Sequence, residues 1–166
     1  AEARHSAAAL LRQASEATVA IADFRDAFFG AEYVRLKEYF EALKRHDSPD
    51  IILTHRLEDR HQDHRLVAEL TWNTFRDHLI LEYEIPKYEG DLGNPGLYVP
   101  IESRVAKRKA RHLMRYFGSQ RAKHWFDAEN FLALSRIRGL ECRAPSGFAE
   151  AFYARKMVFG GAACLR

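Results

Sequence analysis

Apolar positions along the chain fall into two rhythms, one helical and one extended. In residues 30–46, Tyr33, Leu36, Tyr39, Phe40 and Leu43 recur three and four residues apart with Arg35, Lys37, Glu38, Glu41 and Lys44 between them, predicting an amphipathic helix. Residues 65–75 repeat the pattern through Leu66, Val67, Leu70, Trp72 and Phe75. Residues 2–13 are rich in alanine and leucine, and 102–117 and 127–140 complete the predicted helices. The β-branched and apolar stretch 17–22, the continuous apolar run Ile51-Ile52-Leu53 within 50–54, of the kind parallel sheets bury on both faces, the stretch 78–86 with Glu82 and Glu84 near its end and Pro86 closing it, and the stretch 151–159 predict strands. The alternation predicts βαβ units with right-handed crossovers. The expected architecture is therefore α/β: a Rossmann-like three-layer fold with a mainly parallel sheet, in a single domain spanning 1–166.

Between the regular stretches, residues 87–100 hold Gly90, Gly93, Asn94, Pro95, Gly96 and Pro100, the chemistry of a loop long enough to serve as a lid. Residues 160–166 read as a frayed tail. The helix at 102–117 carries Arg104, Lys107, Arg108, Lys109, Arg111 and Arg115, opposed by an inward stripe of Ala106, Ala110, Leu113 and Phe117, so its basic side reads as a solvated outer face.

Composition narrows the function classes. The 26 basic and 23 acidic residues leave a net charge of +3, too small for a global field that would favour nucleic acid or a membrane surface; any preference for anions must be local. Cys142 and Cys164 make no CxxC pair and no disulfide framework. The longest apolar run, 157–165, is too short and glycine-rich to span a bilayer, and no basic-then-apolar leader opens the chain. The expected location is cytoplasmic. The first residues already have helical composition, with no N-cap and no methionine, as though the sequence began inside an element.

Chemistry concentrates after the strand at 50–54, where His55, Glu58, Asp59, Arg60, His61, Asp63 and His64 crowd one loop. In open α/β sheets, ligands sit beyond the carboxyl ends of strands, next to the N-terminus of the following helix. That helix end disfavours imidazolium, which keeps a histidine neutral and able to offer a lone pair to a metal. His61 and His64, three residues apart, are neighbours in a helix or a tight turn. A catalytic zinc needs three protein ligands and an open position; His-Gln-Asp-His supplies one or two. Arg25 and Asp26, in the charged turn after the strand at 17–22, form a second polar cluster.

The stretch from Pro49-Asp50 through Thr54-His55 to Asp59-Arg60-His61-Gln62-Asp63-His64-Arg65 closely resembles the second motif of the LmbE-like, or PIG-L, family of zinc-dependent de-N-acetylases, usually His-Pro-Asp-His. The order of elements is similar too. So are Leu81-Glu82-Tyr83-Glu84-Ile85-Pro86-Lys87-Tyr88 and the segments from Arg138-Gly139-Leu140-Glu141 to Ala149-Glu150-Ala151-Phe152, which look like a bacterial branch acting on carbohydrate precursors.

The resemblance implies a hydrolase that removes an N-acetyl group from an amino sugar, whether free or nucleotide- or lipid-linked, using Zn2+ or another divalent metal and no nucleic acid. It assigns metal binding to His64, the oxyanion-stabilising or acid role to His61, and an orienting role to Asp63. Arg25, Asp26, Arg60 and Glu150 are the candidate substrate contacts, with pairing to Arg155 the alternative for Glu150. Gln62 replaces the motif's proline, which costs rigidity and no ligand. The family's first motif, Ala-His-Pro-Asp-Asp-Glu, has no counterpart here; with it would go the first strand. The favoured explanation is the later part of a longer enzyme. The alternative is a catalytically inactive carbohydrate or nucleotide-sugar binding relative.

Overall fold

In the computed structural model, residues 1–46 and 48–158 are described. Four strands, β1 (Ile51–His55), β2 (Leu79–Tyr83), β3 (Leu97–Pro100) and β4 (Ala149–Tyr153), form a sheet in the order β1-β2-β4-β3. β1 and β2 run parallel, with Ile51 opposite Leu79 and His55 opposite Tyr83. β2 pairs antiparallel with β4, Glu82 opposite Tyr153. Among the described residues five α-helices accompany the strands: α1 (Glu2–Leu10), α2 (Tyr33–His46), α3 (Gln62–Thr74), α4 (Ser103–Tyr116) and α5 (Ala128–Glu141). The class is α/β as expected, and the sheet is mixed, with β1–β2 as its parallel pair.

The described residues group into two compact units, one of residues 1–24, 85–92 and 98–151, the other of 25–84, 93–97 and those from 152 on. The second unit is the βαβ motif read from the sequence. Leu36 of α2, Ala68 and Leu70 of α3, Phe75 just after it, and Ile80 and Leu81 of β2 are its buried apolar residues among those described. α3 is tied to β1 by the buried hydroxyls of Thr54 and Thr71, 3.1 Å apart, while Thr71 also donates to the carbonyl of Val67. These bonds satisfy two hydroxyls that would otherwise be costly to bury, and they fix how the end of β1 meets the start of α3.

The first unit packs α4 on α5 through the small residue Ala110 of α4 against Phe126 and Phe131. The carboxylate of Asp127 caps α5 by accepting from the backbone N–H of Glu129 at 2.6 Å. Gly139, inside α5, is there for space: an added Cβ would lie 2.3 Å from the carbonyl oxygen of Gly147. Gly→Ala inside a helix ordinarily gains about 1 kcal/mol. Here Gly139→Ala is expected to destabilise by roughly 1–3 kcal/mol, as overpacking does; its urea midpoint should fall, and a rise would show that the α5–Gly147 approach is loose.

Three expectations need correction. Residues 17–22 form no strand; they are exposed and irregular, with Val19 and Ile21 in solvent. A β-branched run expresses fitness for a half-buried pleated surface, and none is offered to it. Conversely, β3 lies within the stretch read as loop, where the surrounding glycines and prolines hide four extended residues. The last strand is 149–153 in place of 151–159; Phe159 and the tail at 160–166 lie outside the described residues.

Candidate metal centre

β1 delivers His55 at its carboxyl end, and the chain then turns through residues 56–59, closed by the Asp59 N–H donating to the carbonyl of Arg56 at 3.1 Å. His61 is the N-cap of α3, and His64 sits in its first turn. This brief path from strand to helix brings His55, Asp59, His61 and His64 together.

Asp59 is the hub. Its side chain is 3% exposed. One oxygen, Oδ1, accepts from the backbone N–H of His61 at 2.8 Å; the other, Oδ2, is 2.9 Å from Nδ1 of His64. A carboxylate only accepts, so His64 carries its proton on Nδ1 and leaves Nε2 as a lone-pair donor. This is the carboxylate–histidine pairing that orients metal-bound imidazoles. Arg65 closes the turn by donating to the carbonyls of Asp59 and Arg60 at 3.2 and 2.6 Å.

His64 lies between two other imidazoles. The ring of His55 stacks on it with centroids 3.9 Å apart and planes 5° from parallel. The ring of His61 lies on it at 4.4 Å and 31°. His55, Asp59 and His64 each offer a ligand atom, and these atoms lie within 4.8 Å of one another. Two imidazoles and one carboxylate suit zinc, and equally iron or cobalt, as a three-ligand set with room for a fourth partner. Nδ1 of His61 is buried with no hydrogen-bond partner among the described residues, so the cluster contains an unused polar atom beside the ligand set.

Tyr83, at the end of β2, stands beside His55 with its hydroxyl 3.5 Å from Nε2. Burial, and then the charge of Asp59, push its phenol above the usual value of 10.0. With the folded value raised, the neutral phenol is favoured by folding, so this stability is present below the ordinary tyrosine range and lost as pH rises through the folded value. Unfolding free energy is therefore expected to decline above about pH 10, and Tyr83→Phe should remove part of that slope in denaturant titrations across alkaline pH. An unchanged slope would show that Tyr83 titrates normally.

Asp63 takes a different place from the one the motif suggested. It is buried, and its Oδ2 and Oδ1 accept from the backbone N–H groups of Ala27, at 2.6 Å, and Phe29, at 3.2 Å. Its carboxylate thus orients the turn at 25–29, where Ala27 has a positive φ of 67°, and not a histidine. That places Arg25 and Asp26 on a turn anchored to the first turn of α3. Arg25 lies over the ring of Phe28, 3.7 Å from its centroid, and both Arg25 and Asp26 are exposed. Asp63→Ala would leave two donors without their charged acceptor at a left-handed residue, a loss of about 2–4 kcal/mol. A drop in thermal midpoint with increased proteolytic cutting at 25–29 is expected; wild-type stability would show the anchor to be dispensable.

Of the other predicted contacts, Arg60 is exposed on the same loop. Glu150 is held within the first unit, paired with Nζ of Lys109 at 2.7 Å and accepting from the hydroxyl of Ser135 at 3.3 Å. His55 and Asp59, in the crowded loop, are given no ligand role by the motif. The signal available in the sequence is a histidine at a strand terminus with an acid five residues before His64. That spacing suits a turn and is invisible to helical periodicity.

Fold and cluster together define an α/β protein with a candidate divalent-metal centre at the end of a parallel strand. No family model matches the chain, and no curated protein does. Among solved structures it is similar to the conserved protein TT1542 from Thermus thermophilus, at 16% identity and a TM-score of 0.56, over 97% of this chain and 74% of that one. At that identity the likeness shows a common fold.

Proposed function

We propose that this chain provides one half of the active site of a metal-dependent N-deacetylase of the LmbE-like type, removing an N-acetyl group from an amino sugar or sugar-containing precursor in the cytoplasm. The observation that carries the reading is the gathering of the His55 and His61 rings against His64, itself held by the buried Asp59, at the carboxyl end of β1. A divalent cation, zinc by preference, would supply polarisation of the amide carbonyl and acidification of a bound water.

The chain's own residues divide the remaining work. His64, aligned by Asp59, is the ligand; His55 and Asp59 are the further donors within reach. His61, when protonated, can donate to the oxygen on which negative charge develops, a stabilisation typically worth a few kcal/mol, and then pass a proton to the departing amine. Arg25, Asp26 and Arg60 offer polar groups to sugar hydroxyls.

In this reading the segment bearing the His-Pro-Asp-Asp-Glu motif enters on a strand alongside β1 and brings the base. The outer edge of β1 supports it. Among the described residues no strand pairs there, Ile51 and Leu53 are 52% and 58% exposed, and a groove of about 630 Å3 runs past them between Phe40, Val67 and Phe75. An unpaired apolar edge is a template for another strand. A parallel strand there would extend the β1–β2 pair toward a Rossmann-like, mainly parallel sheet. Among the described residues no helix is long and apolar enough to cross a membrane.

The test measures zinc content and acetate release from N-acetylglucosamine derivatives, for this chain and for a version extended at its N-terminus with the motif. The extended protein should bind zinc and release acetate, and His64→Ala should abolish both. An extended protein without metal, or one indifferent to His64→Ala, sinks the reading. Sugar binding without acetate release would favour the inactive carbohydrate-binding alternative.

A further inference from the structure

The net charge of the chain hides a strong local imbalance. From Ser103 to Phe126 there are eight Lys and Arg residues and no Asp or Glu. Within α4, Arg104, Lys107, Arg108, Arg111 and Arg115 lie on one side of the helix, opposite the buried Ala106 and Ala110. They span about 16 Å along the axis at 1.5 Å per residue. Arg104 is neutralised by Glu102. Lys107, Arg108 and Arg111 have no ion pair among the described residues, and Arg115 lies against the ring of Tyr116, 5.6 Å from its centroid. A solvated helix face normally intersperses both signs; this one does not.

The stripe also borders an apolar trough. α1 is fastened to α4 by the Ser6 hydroxyl and Nε2 of His112, 2.8 Å apart, and to the turn after α4 by Glu2, which accepts from the backbone and hydroxyl of Ser119. Between the two helices runs a groove of about 900 Å3, whose lining includes Leu10, Leu113 and Phe117 and, at its rim, Arg12, Arg108 and Arg115. Leu10 is 71% exposed. Cations above aliphatic surface match a layer that is anionic outside and hydrocarbon within.

We propose that the basic side of α4, with the groove beside α1, docks onto an anionic phospholipid surface. A single-stranded nucleic acid fits less well, because base stacking needs exposed aromatic platforms and the apolar residue exposed here is the aliphatic Leu10. All the residues involved belong to the first unit, so the inference stands apart from the deacetylase reading.

Sedimentation of the whole chain with phosphatidylcholine vesicles, with and without about a third phosphatidylglycerol, tests it. Binding should appear only with the anionic lipid and vanish at high ionic strength, as a field screened by salt must. Each basic side chain near such a surface is worth about fivefold in partitioning, so replacing Lys107, Arg108, Arg111 and Arg115 together by glutamine should abolish binding. These are exposed side chains, and an unchanged circular dichroism melt would confirm that the variant folds. Leu10→Asp should weaken binding with every cation in place. Equal binding to neutral vesicles, none to anionic ones, insensitivity to the four substitutions, or displacement of bound vesicles by a single-stranded oligonucleotide at lower concentration would each overturn the proposal.

Discussion

Replacing Asp59 by alanine is expected to reduce zinc affinity about 10–100-fold and to unfold the loop around it. The two effects have separable causes. Asp59 fixes the Nδ1 proton of His64 and so leaves Nε2 for the metal. Outer-sphere partners of this kind ordinarily cost 10–100-fold in metal affinity when lost. The same substitution leaves the backbone N–H of His61 without its acceptor in a buried turn, worth about 1–3 kcal/mol. Asp59→Asn separates the two. It can still accept from His61 and nearly preserves volume, so stability should stay near wild type while zinc affinity falls. Isothermal titration with zinc, beside urea unfolding, reads both. Equal affinities for wild type and Asp59→Ala would remove Asp59 from the site.

The second large effect is expected at Glu82, which contributes no donor to the cluster. Glu82 is 2% exposed, and its two oxygens accept from the indole N–H of Trp72 on α3 and from the backbone N–H of Leu57 in the turn after β1. It therefore locks helix, strand and loop with one buried carboxylate. Glu82→Ala removes two charge-assisted bonds of about 1.5–3 kcal/mol each and orphans both donors. A loss of about 3–5 kcal/mol is expected, enough to unfold a marginal domain. Glu82→Gln keeps one acceptor and should fall between. Denaturant midpoints check the order. Metal affinity of Glu82→Gln should drop less than that of Asp59→Asn, because Leu57 only shapes the loop while Asp59 touches a ligand.

How much of this was legible follows from the range of each interaction. The helix at 33–46, the strand at 51–55 and the helix from 62 emerge from local periodicity, and with them the placement of His61 and His64 at a strand's end. The partner of Asp63 was not legible: its bonds go to Ala27 and Phe29, 36 and 34 residues earlier, and no local pattern encodes that distance. The motif assigned it to a histidine; Asp59 holds that position for His64. Nor could the run at 17–22 reveal that no surface would receive it. The parallel β1–β2 pair was readable from two apolar runs joined by a helix. The antiparallel β4 was not, because strand direction depends on where α4 and α5 carry the chain before it returns.

The central claim is that the loop from His55 to His64 is a divalent-metal site. Titration of the chain with Co2+, followed by visible absorption, tests it most directly, since nitrogen and oxygen ligands from the protein give bands that the hydrated ion lacks. The account predicts saturation at one ion per chain, competition by zinc, and loss of the bands in His64→Ala and Asp59→Ala. Absence of the bands, or bands that persist unchanged in His64→Ala, would contradict it.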